Sequence, residues 1–524
     1  MPKVLIADDL SPAAIAIFRS RGVDADARVG LKKDELLKII ADYDGLAVRS
    51  ATKADKDIIA AAKNLKVIGR AGIGVDNIDI PAATARGIVV MNTPHGNSIT
   101  TAEHAIALMF AAARQIAEAN VSTQAGKWEK NRFMGVELYA KTLGLIGCGN
   151  IGGIVAKRAN GLEMKVIAYD PFLNEERALQ LGVEKVELDA LLARADIISL
   201  HAPVTEQTRN ILSAEAIGNT KKGVIIVNAA RGGLVDEAAL RAALESGHVS
   251  AAAFDVFSAE PAKDNPLFGA PNFTATPHLG ASTNDAQENV ALQVAEQMSD
   301  YLLSGAVTNA LNMPSITAEE APRLKPFAQL AEKLGLFAGQ ITEAGLEAVE
   351  IEYEGEVAGL NTRPLTAAAL AGLLRPFMQD VNMVSAPAVL HERGTPLKVS
   401  TRETSPVYDS LIRIRVQTGG KWRTLAGALM SGKPRIVEIK DMELEAPFHP
   451  LTLYANNVDK PGFIGALGTL LGDAGINIAS FHLGRQAAGA EAIALVGIDQ
   501  TTPEALLAQI RALPQVRYVT LLRF

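Results

Sequence analysis

Three short segments each place one reactive side chain just beyond an apolar run. Asn228 to Glu237 reads NAARGGLVDE after GVIIV and carries Arg231; Phe254 to Pro261 reads FDVFSAEP and carries Glu260; Thr276 to Thr283 reads TPHLGAST and carries His278. The runs Gly223 to Val227, Ala251 to Val256 and Phe273 to Thr276 predict parallel strands, and open α/β sheets bind ligands at the carboxyl ends of such strands. A guanidinium there can hold a 2-oxo acid carboxylate in a two-pronged hydrogen bond while polarising the adjacent carbonyl. Oxidising an alcohol by hydride transfer needs a base for the hydroxyl proton, and imidazole titrates in the suitable range. A neighbouring carboxylate such as Glu260 orients the ring and favours its protonated form. Taken singly, a surface arginine, a solvated glutamate and a loop histidine are ordinary structural residues. At three successive strand ends they make one site, suited to hydride exchange at a carbon next to a carboxylate.

The hydride carrier is indicated by Thr142 to Pro171, TLGLIGCGNIGGIVAKRANGLEMKVIAYDP. An apolar strand, Leu143 to Ile146, runs into the loop Gly147-Cys148-Gly149-Asn150-Ile151-Gly152, then a helix with Ile151, Ile154 and Val155 on one side, then a strand from Lys165 to Tyr169. Gly147 permits the tight turn, Gly149 lets the backbone approach a pyrophosphate, and Gly152 lets helix and strand pack closely. The helix N-terminus, with Asn150 and Ile151 in its first turn, offers unpaired N–H groups to phosphates. Asp170 lies 18 residues after Gly152, where a carboxylate reaches the ribose hydroxyls. A 2′-phosphate would meet a like charge, so the cofactor expected is NAD.

The elements that position these residues need several domains, since 524 residues exceed one core. A hydrophobic fraction of 48%, 21% charged residues and a net charge of −7 describe an ordinary globular protein and argue against nucleic acid as main partner. Cys148 is the one cysteine, which excludes an internal disulfide and a cysteine-based metal cage. No metal site is expected. The opening MPKVLIADDL lacks a signal-peptide pattern and no charge-free apolar run reaches a membrane span, so a cytoplasmic enzyme is the expectation.

Strand and helix already alternate before the glycine loop: KVLIA, Pro12 to Gly22, Gly45 to Val48, Lys66 to Gly69, and Gly87 to Asn92. An α/β domain therefore precedes the cofactor domain. A helix from Thr101 to Gln115, apolar at Ala105, Leu108, Met109 and Ala112, carries the chain between them. Ile197 to Leu200 continues the parallel sheet with the three runs above. A long helix, Asn284 to Ser304, leads back and makes the first domain discontinuous. Strand-like patches at Leu411 to Gln417 and Ile436 to Ile439 fall in a region without catalytic spacing, and Leu451 to Phe524 parses as β-α-β-β-α-β, a ferredoxin-like order.

The set GCGNIG, NAARGGLVDE, DVFSAEP and TPHLGAST, with VRSATK and GRAGIGVDNID near the start, resembles the D-isomer-specific 2-hydroxyacid dehydrogenases. Within them, AEHAIALMFAAARQI, GKWEKNRFMGVEL and the tail are similar to the long-form D-3-phosphoglycerate dehydrogenases. The resemblance implies an α/β chain: a discontinuous flavodoxin-like substrate domain (1–98 and 284–312), a Rossmann NAD-binding domain (99–283), an α+β intervening domain (313–450) and a ferredoxin-like ACT regulatory domain (451–524). It implies Arg231, Glu260 and His278 as catalytic residues. Asp170 goes to the ribose, and Ala202, Ala229, Ala230, Asp255, Gly280 and Ala281 go with Arg231 and His278 to the cofactor. Arg49, Ser50, Arg70, Gly72 and Asn97 go to the substrate, joined by Arg132 from a neighbouring subunit. Ile73 and Ala202 depart from the hydroxyl residues common at those positions. The partners implied are 3-phosphoglycerate and, at an ACT interface, L-serine held by Asn457, Asp459 and Asn477, in a homodimer or homotetramer. Asn457 stands where relatives carry histidine or tyrosine. Cys148 reads as an apolar residue packed under the turn rather than a redox switch. Two alternatives stay open: a glyoxylate or hydroxypyruvate reductase, and a non-catalytic NAD-sensing protein.

Overall fold

A computed structural model describes residues 1–94, 96–342, 345–378 and 381–524. Two fully parallel sheets build the first part of the chain. Their inner strands are almost continuously apolar, as strands covered by helices on both faces must be. The first sheet runs, in spatial order, Asp24–Ala27, Lys3–Ile6, Gly45–Val48, Val67–Arg70, Val89–Met91. That is the flavodoxin-like order 2-1-3-4-5. The second runs Phe273–Ala275, Val249–Phe254, Val224–Asn228, Ile197–Leu200, Thr142–Ile146, Lys165–Tyr169, Glu184–Lys185, with the reversal beside the glycine-loop strand that defines a Rossmann sheet.

Two helices tie the sheets together. The connecting helix Ser98–Arg114 buries Ala105, Leu108, Met109 and Ala112 against the second sheet and stops where Gln115 turns left-handed at φ 49°. The return helix Asn284–Ser304, capped by Thr283 Oγ1, packs Val290, Val294 and Met298 onto the first sheet beside Phe18. The substrate-side unit is thus discontinuous in sequence.

Beyond it, Leu397–Arg402, Leu346–Gly355, Ser410–Thr418, Lys421–Met430, Lys433–Ile439 and Met442–Pro447 form a six-stranded sheet under the helices Ala321–Gln340 and Thr362–Leu374. Only two of these six strands are readable as apolar patches. The others carry charge among their apolar residues, as in the half-buried Glu350 and Glu352, where Arg413 pairs with Glu352 at 3.0 Å. The tail is the expected β-α-β-β-α-β unit, ordered Ile478–Arg485, Glu491–Ile498, Leu451–Val458, Val516–Arg523 and antiparallel throughout. Phe337 of the intervening helix, fully buried, meets Tyr454 and Phe524 edge-on at 5.5 and 6.0 Å, which seats the tail on the intervening unit. Among the described residues, no helix is long and apolar enough to cross a membrane.

Candidate active site

The glycine loop has the local geometry that a dinucleotide needs. Gly147 sits at φ 94°, and a side chain there would strike the His201 carbonyl; one on Gly152 would lie 2.3 Å from the Gly147 carbonyl. Gly149 faces open space, so its missing side chain leaves room for phosphates at the N-terminus of the helix Asn150–Gly161. Asp170 closes the cradle: its carboxylate accepts from the Cys148 and Phe172 N–H groups, both at 2.8 Å, at the end of the second strand. Ala202 follows the strand Ile197–Leu200 and lies against the loop beside Gly147. These residues fit NAD. Cys148 is buried, and burial with the nearby Asp170 pushes its thiol up to about 11, which keeps it protonated and inert.

Three loops at the carboxyl ends of the second sheet bring the predicted reactive groups together. His278 Nδ1 lies 2.6 Å from Glu260 Oε2, and Glu260 Oε1 accepts from the Phe257 N–H at 3.0 Å. The Glu260 bond holds the imidazole above its ordinary value against the opposing effect of burial. Burial in turn works to raise the Glu260 carboxyl, but the His278 and Phe257 bonds outweigh it and keep it lowered. With Nδ1–H on the carboxylate, Nε2 of the neutral ring is free to accept a proton from a ligand.

Asp255 lines the cleft floor but is wholly buried. It accepts from Thr276 Oγ1 at 2.6 Å and from the Leu279 and Gly280 N–H groups at 2.7 and 2.8 Å, so it shapes the His278 loop. Asn228 does the same for the Arg231 loop, donating to the Arg231 carbonyl and accepting from the Ala230 N–H, which sets Ala229 and Ala230 at the strand end. Glu237 fixes the Glu260 loop by accepting from Ser258 N–H, Ser258 Oγ and Asn265 Nδ2. Neither role is readable from the sequence, since Asn228 acts on backbone groups and Glu237 on a loop that only the fold brings to it.

Opposite these loops, the first sheet supplies positive charge across a cleft of about 740 Å³. Arg49, Ser50, Arg70, Gly72 and Asn97 line it together with Asp255, Glu260, His278 and Ala281. Arg231 reaches over from the second sheet to within 3.2 Å of Asp76; Gly74 faces it, where a side chain would lie 1.9 Å from Nη2. Arg70 folds back over Gly72 in the same way. Burial, with the repulsion of Arg231 and Arg49, brings Arg70 down to about 10. Its Nε and the Oδ1 of Asn97 are buried without a partner.

The Arg49 loop is pinned by Asp8, which accepts from Arg49 N–H at 2.6 Å and from Thr52 Oγ1 at 2.6 Å, and by Asn77, which donates to the Arg49 and Thr52 carbonyls. Asn92 and Thr93 anchor Ile73 and Gly72 from behind. Asp8 had a readable signal, a carboxylate at the carboxyl end of the first strand; the others lie far in sequence from the loops they hold.

Four predicted residues stay away from this cleft. Arg132 is exposed and pairs with Glu129 at 2.9 Å, outside the cleft of its own chain. In the tail, Asp459 accepts from Arg485 at 2.9 Å, and Asn477 donates to Asp499 at 2.6 Å at the opposite end of the sheet. Asn457 is buried and donates to the Val458 carbonyl.

A Rossmann cradle facing an arginine-lined cleft, with a His–Glu pair at the strand ends, defines a 2-hydroxyacid dehydrogenase type of protein. Residues 106–280 match the NAD-binding domain of the D-isomer-specific 2-hydroxyacid dehydrogenases, 323–440 the D-3-phosphoglycerate dehydrogenase intervening domain, and 452–515 the ACT domain. The D-3-phosphoglycerate dehydrogenase of Archaeoglobus fulgidus is 45% identical over 96% of this chain and 97% of its own. That of Methanocaldococcus jannaschii is 43% identical over 100% of both. A solved glyoxylate reductase from Paecilomyes thermophila, 31% identical, superposes with a TM-score of 0.55 over 59% of this chain and 98% of its own. The chain belongs to the D-3-phosphoglycerate dehydrogenase family.

The His278–Glu260 geometry makes a pH prediction. Glu260 raises the His278 pKa, so with the neutral imidazole taken as proton acceptor, alcohol oxidation is expected to gain rate as pH rises through that raised value. Glu260→Gln removes the raising interaction, and the acid limb of kcat/KM for oxidation moves to lower pH, with a lower plateau. An unmoved limb in a pH–rate series assigns that limb to another group.

Proposed function

We propose that this chain oxidises 3-phosphoglycerate to 3-phosphohydroxypyruvate with NAD, the reaction that opens serine biosynthesis. The observation that carries this reading is the placement of Arg49 and Arg70 in one cleft with the His278–Glu260 pair, with Arg231 beside it on Asp76 of the cleft wall, because the substrate brings an anion at each end. Arg231 holds the carboxylate and the C2 oxygen in its planar fork, and Nε2 of His278 takes the C2 hydroxyl proton. Glu260 steadies the imidazolium so formed. Arg49, Arg70 and the side-chain N–H of Asn97 face the phosphate end. NAD, when bound in the glycine-loop cradle, supplies the hydride acceptor, and Asp170 orients its ribose. A protein that only sensed NAD would have no use for a histidine held 2.6 Å from a glutamate at the cleft.

The working unit we propose is a homo-oligomer. Ile116, Val121, Trp128, Met134 and Tyr139 are 52 to 86% exposed along the stretch that also carries Arg132, a set of apolar side chains that a second copy would cover. L-serine is the effector we propose for the tail. Asp459 and Asn477 lie at opposite ends of one sheet, so a site using both needs two chains side by side.

Purified protein given NAD and 3-phosphoglycerate forms NADH, and Arg231→Lys loses roughly ten- to a hundredfold in kcat/KM, because an ammonium cannot reproduce the bidentate fork. Absence of NADH formation overturns the assignment; full efficiency in the lysine variant means that charge alone suffices. Calorimetric titration with L-serine gives heat in wild type and weaker binding in Asp459→Ala. No heat at millimolar serine removes serine as effector.

A further inference from the structure

The connecting helix Ser98–Arg114 grips the loop that carries His278 at two points one turn apart. Thr101 Oγ1 donates to the Gly280 carbonyl at 2.8 Å, two residues after His278. His104 Nε2 lies 3.1 Å from Asp255 Oδ1 and 3.2 Å from Thr276 Oγ1, two residues before it. The Thr276 hydroxyl already gives its hydrogen to Asp255 at 2.6 Å, and a carboxylate only accepts, so Nε2 of His104 carries a hydrogen directed between the two oxygens. Asp255 in turn holds the Leu279 and Gly280 N–H groups, and its carbonyl accepts from the His278 N–H at 2.9 Å. His278 itself sits at φ 56°, a conformation that a residue with a side chain keeps only when its surroundings impose it.

The same helix begins at the cleft, where the buried Oδ1 of Asn97 has no partner. One rigid element therefore runs from the substrate side of the cleft to both flanks of the His278 loop.

We propose that His104 and Thr101 are positioning residues for the reaction: from the connecting helix they clamp the two flanks of the 276–280 loop and so hold the His278 imidazole at the substrate. Neither is among the residues that line the cleft. The inference rests on the reading of His278 as the base, and misplacing a catalytic group by about 1 Å costs on the order of a hundredfold.

Steady-state kinetics with NAD and 3-phosphoglycerate, with NAD affinity measured by calorimetry, test it on His104→Leu, His104→Gln, Thr101→Val and His278→Gln. His104→Leu loses about ten- to a hundredfold in kcat, while the NAD dissociation constant and the KM for 3-phosphoglycerate stay within about twofold of wild type. His104→Gln, whose amide N–H can give the same bond to Asp255, recovers most of the rate. Thr101→Val falls in the same direction and leaves no buried charge unpaired, so it carries the test if His104→Leu fails to fold. A kcat within twofold of wild type in His104→Leu or, where that variant does not fold, in Thr101→Val overturns the proposal. So does a glutamine variant no better than the leucine one. Normal turnover in His278→Gln would instead overturn the base assignment, a separate failure.

Discussion

Arg49 and Arg70 line one cleft from the first sheet, and Arg231 reaches over from the second sheet to Asp76 on its wall, a carboxylate 81% exposed. Burial first, then the repulsion of Arg231 and Arg49, brings Arg70 down to about 10, with its Nε unpartnered. The loops that carry Arg49 and Arg70 are fixed from behind by Asp8, Asn77, Asn92 and Thr93, and the Arg231 loop by Asn228. Those anchors are the stability that the chain commits to holding like charges together, and an anion with two charged ends relieves the repulsion.

The two parallel sheets divide the work across that cleft. The first sheet contributes charge for binding. The second contributes reactivity, a His–Glu pair on loops whose shape is set by wholly buried or nearly buried groups: Asp255, Asn228 and Glu237. Because each loop is bonded to the strand end beneath it, the reacting groups are held before a ligand arrives, which is the preorganisation that electrostatic catalysis requires. The cradle and the cleft meet at the strand ends because helices cover both faces of the second sheet and leave that edge as the open approach.

Much of this was legible in the residues. The glycine loop, Asp170, the three strand-end residues and the helix Asn284–Ser304 follow from local pattern, since glycine spacing, apolar runs and helical periodicity are local properties. Glu237, Asn228 and His104 were not legible as site-builders, because their partners are backbone groups or side chains brought near by the fold. The strand Asp24–Ala27 reads as DADA and escapes an apolar search, and Leu397–Arg402 is exposed along its whole length at the sheet edge. Arg132 and the Asp459–Asn477 pair were readable by resemblance alone, and one chain does not bring them to a common site.

Recognition of both ends of a phosphorylated 2-hydroxy acid by the cationic cleft is decided by comparing kcat/KM for 3-phosphoglycerate and D-glycerate under one set of conditions. Loss of the phosphate removes charge-assisted bonds to at least two arginine-side groups, so the account predicts that D-glycerate is worse by about a hundredfold or more, with a difference that shrinks as salt rises. Equal efficiency on the two substrates, or a ratio insensitive to ionic strength, would contradict it.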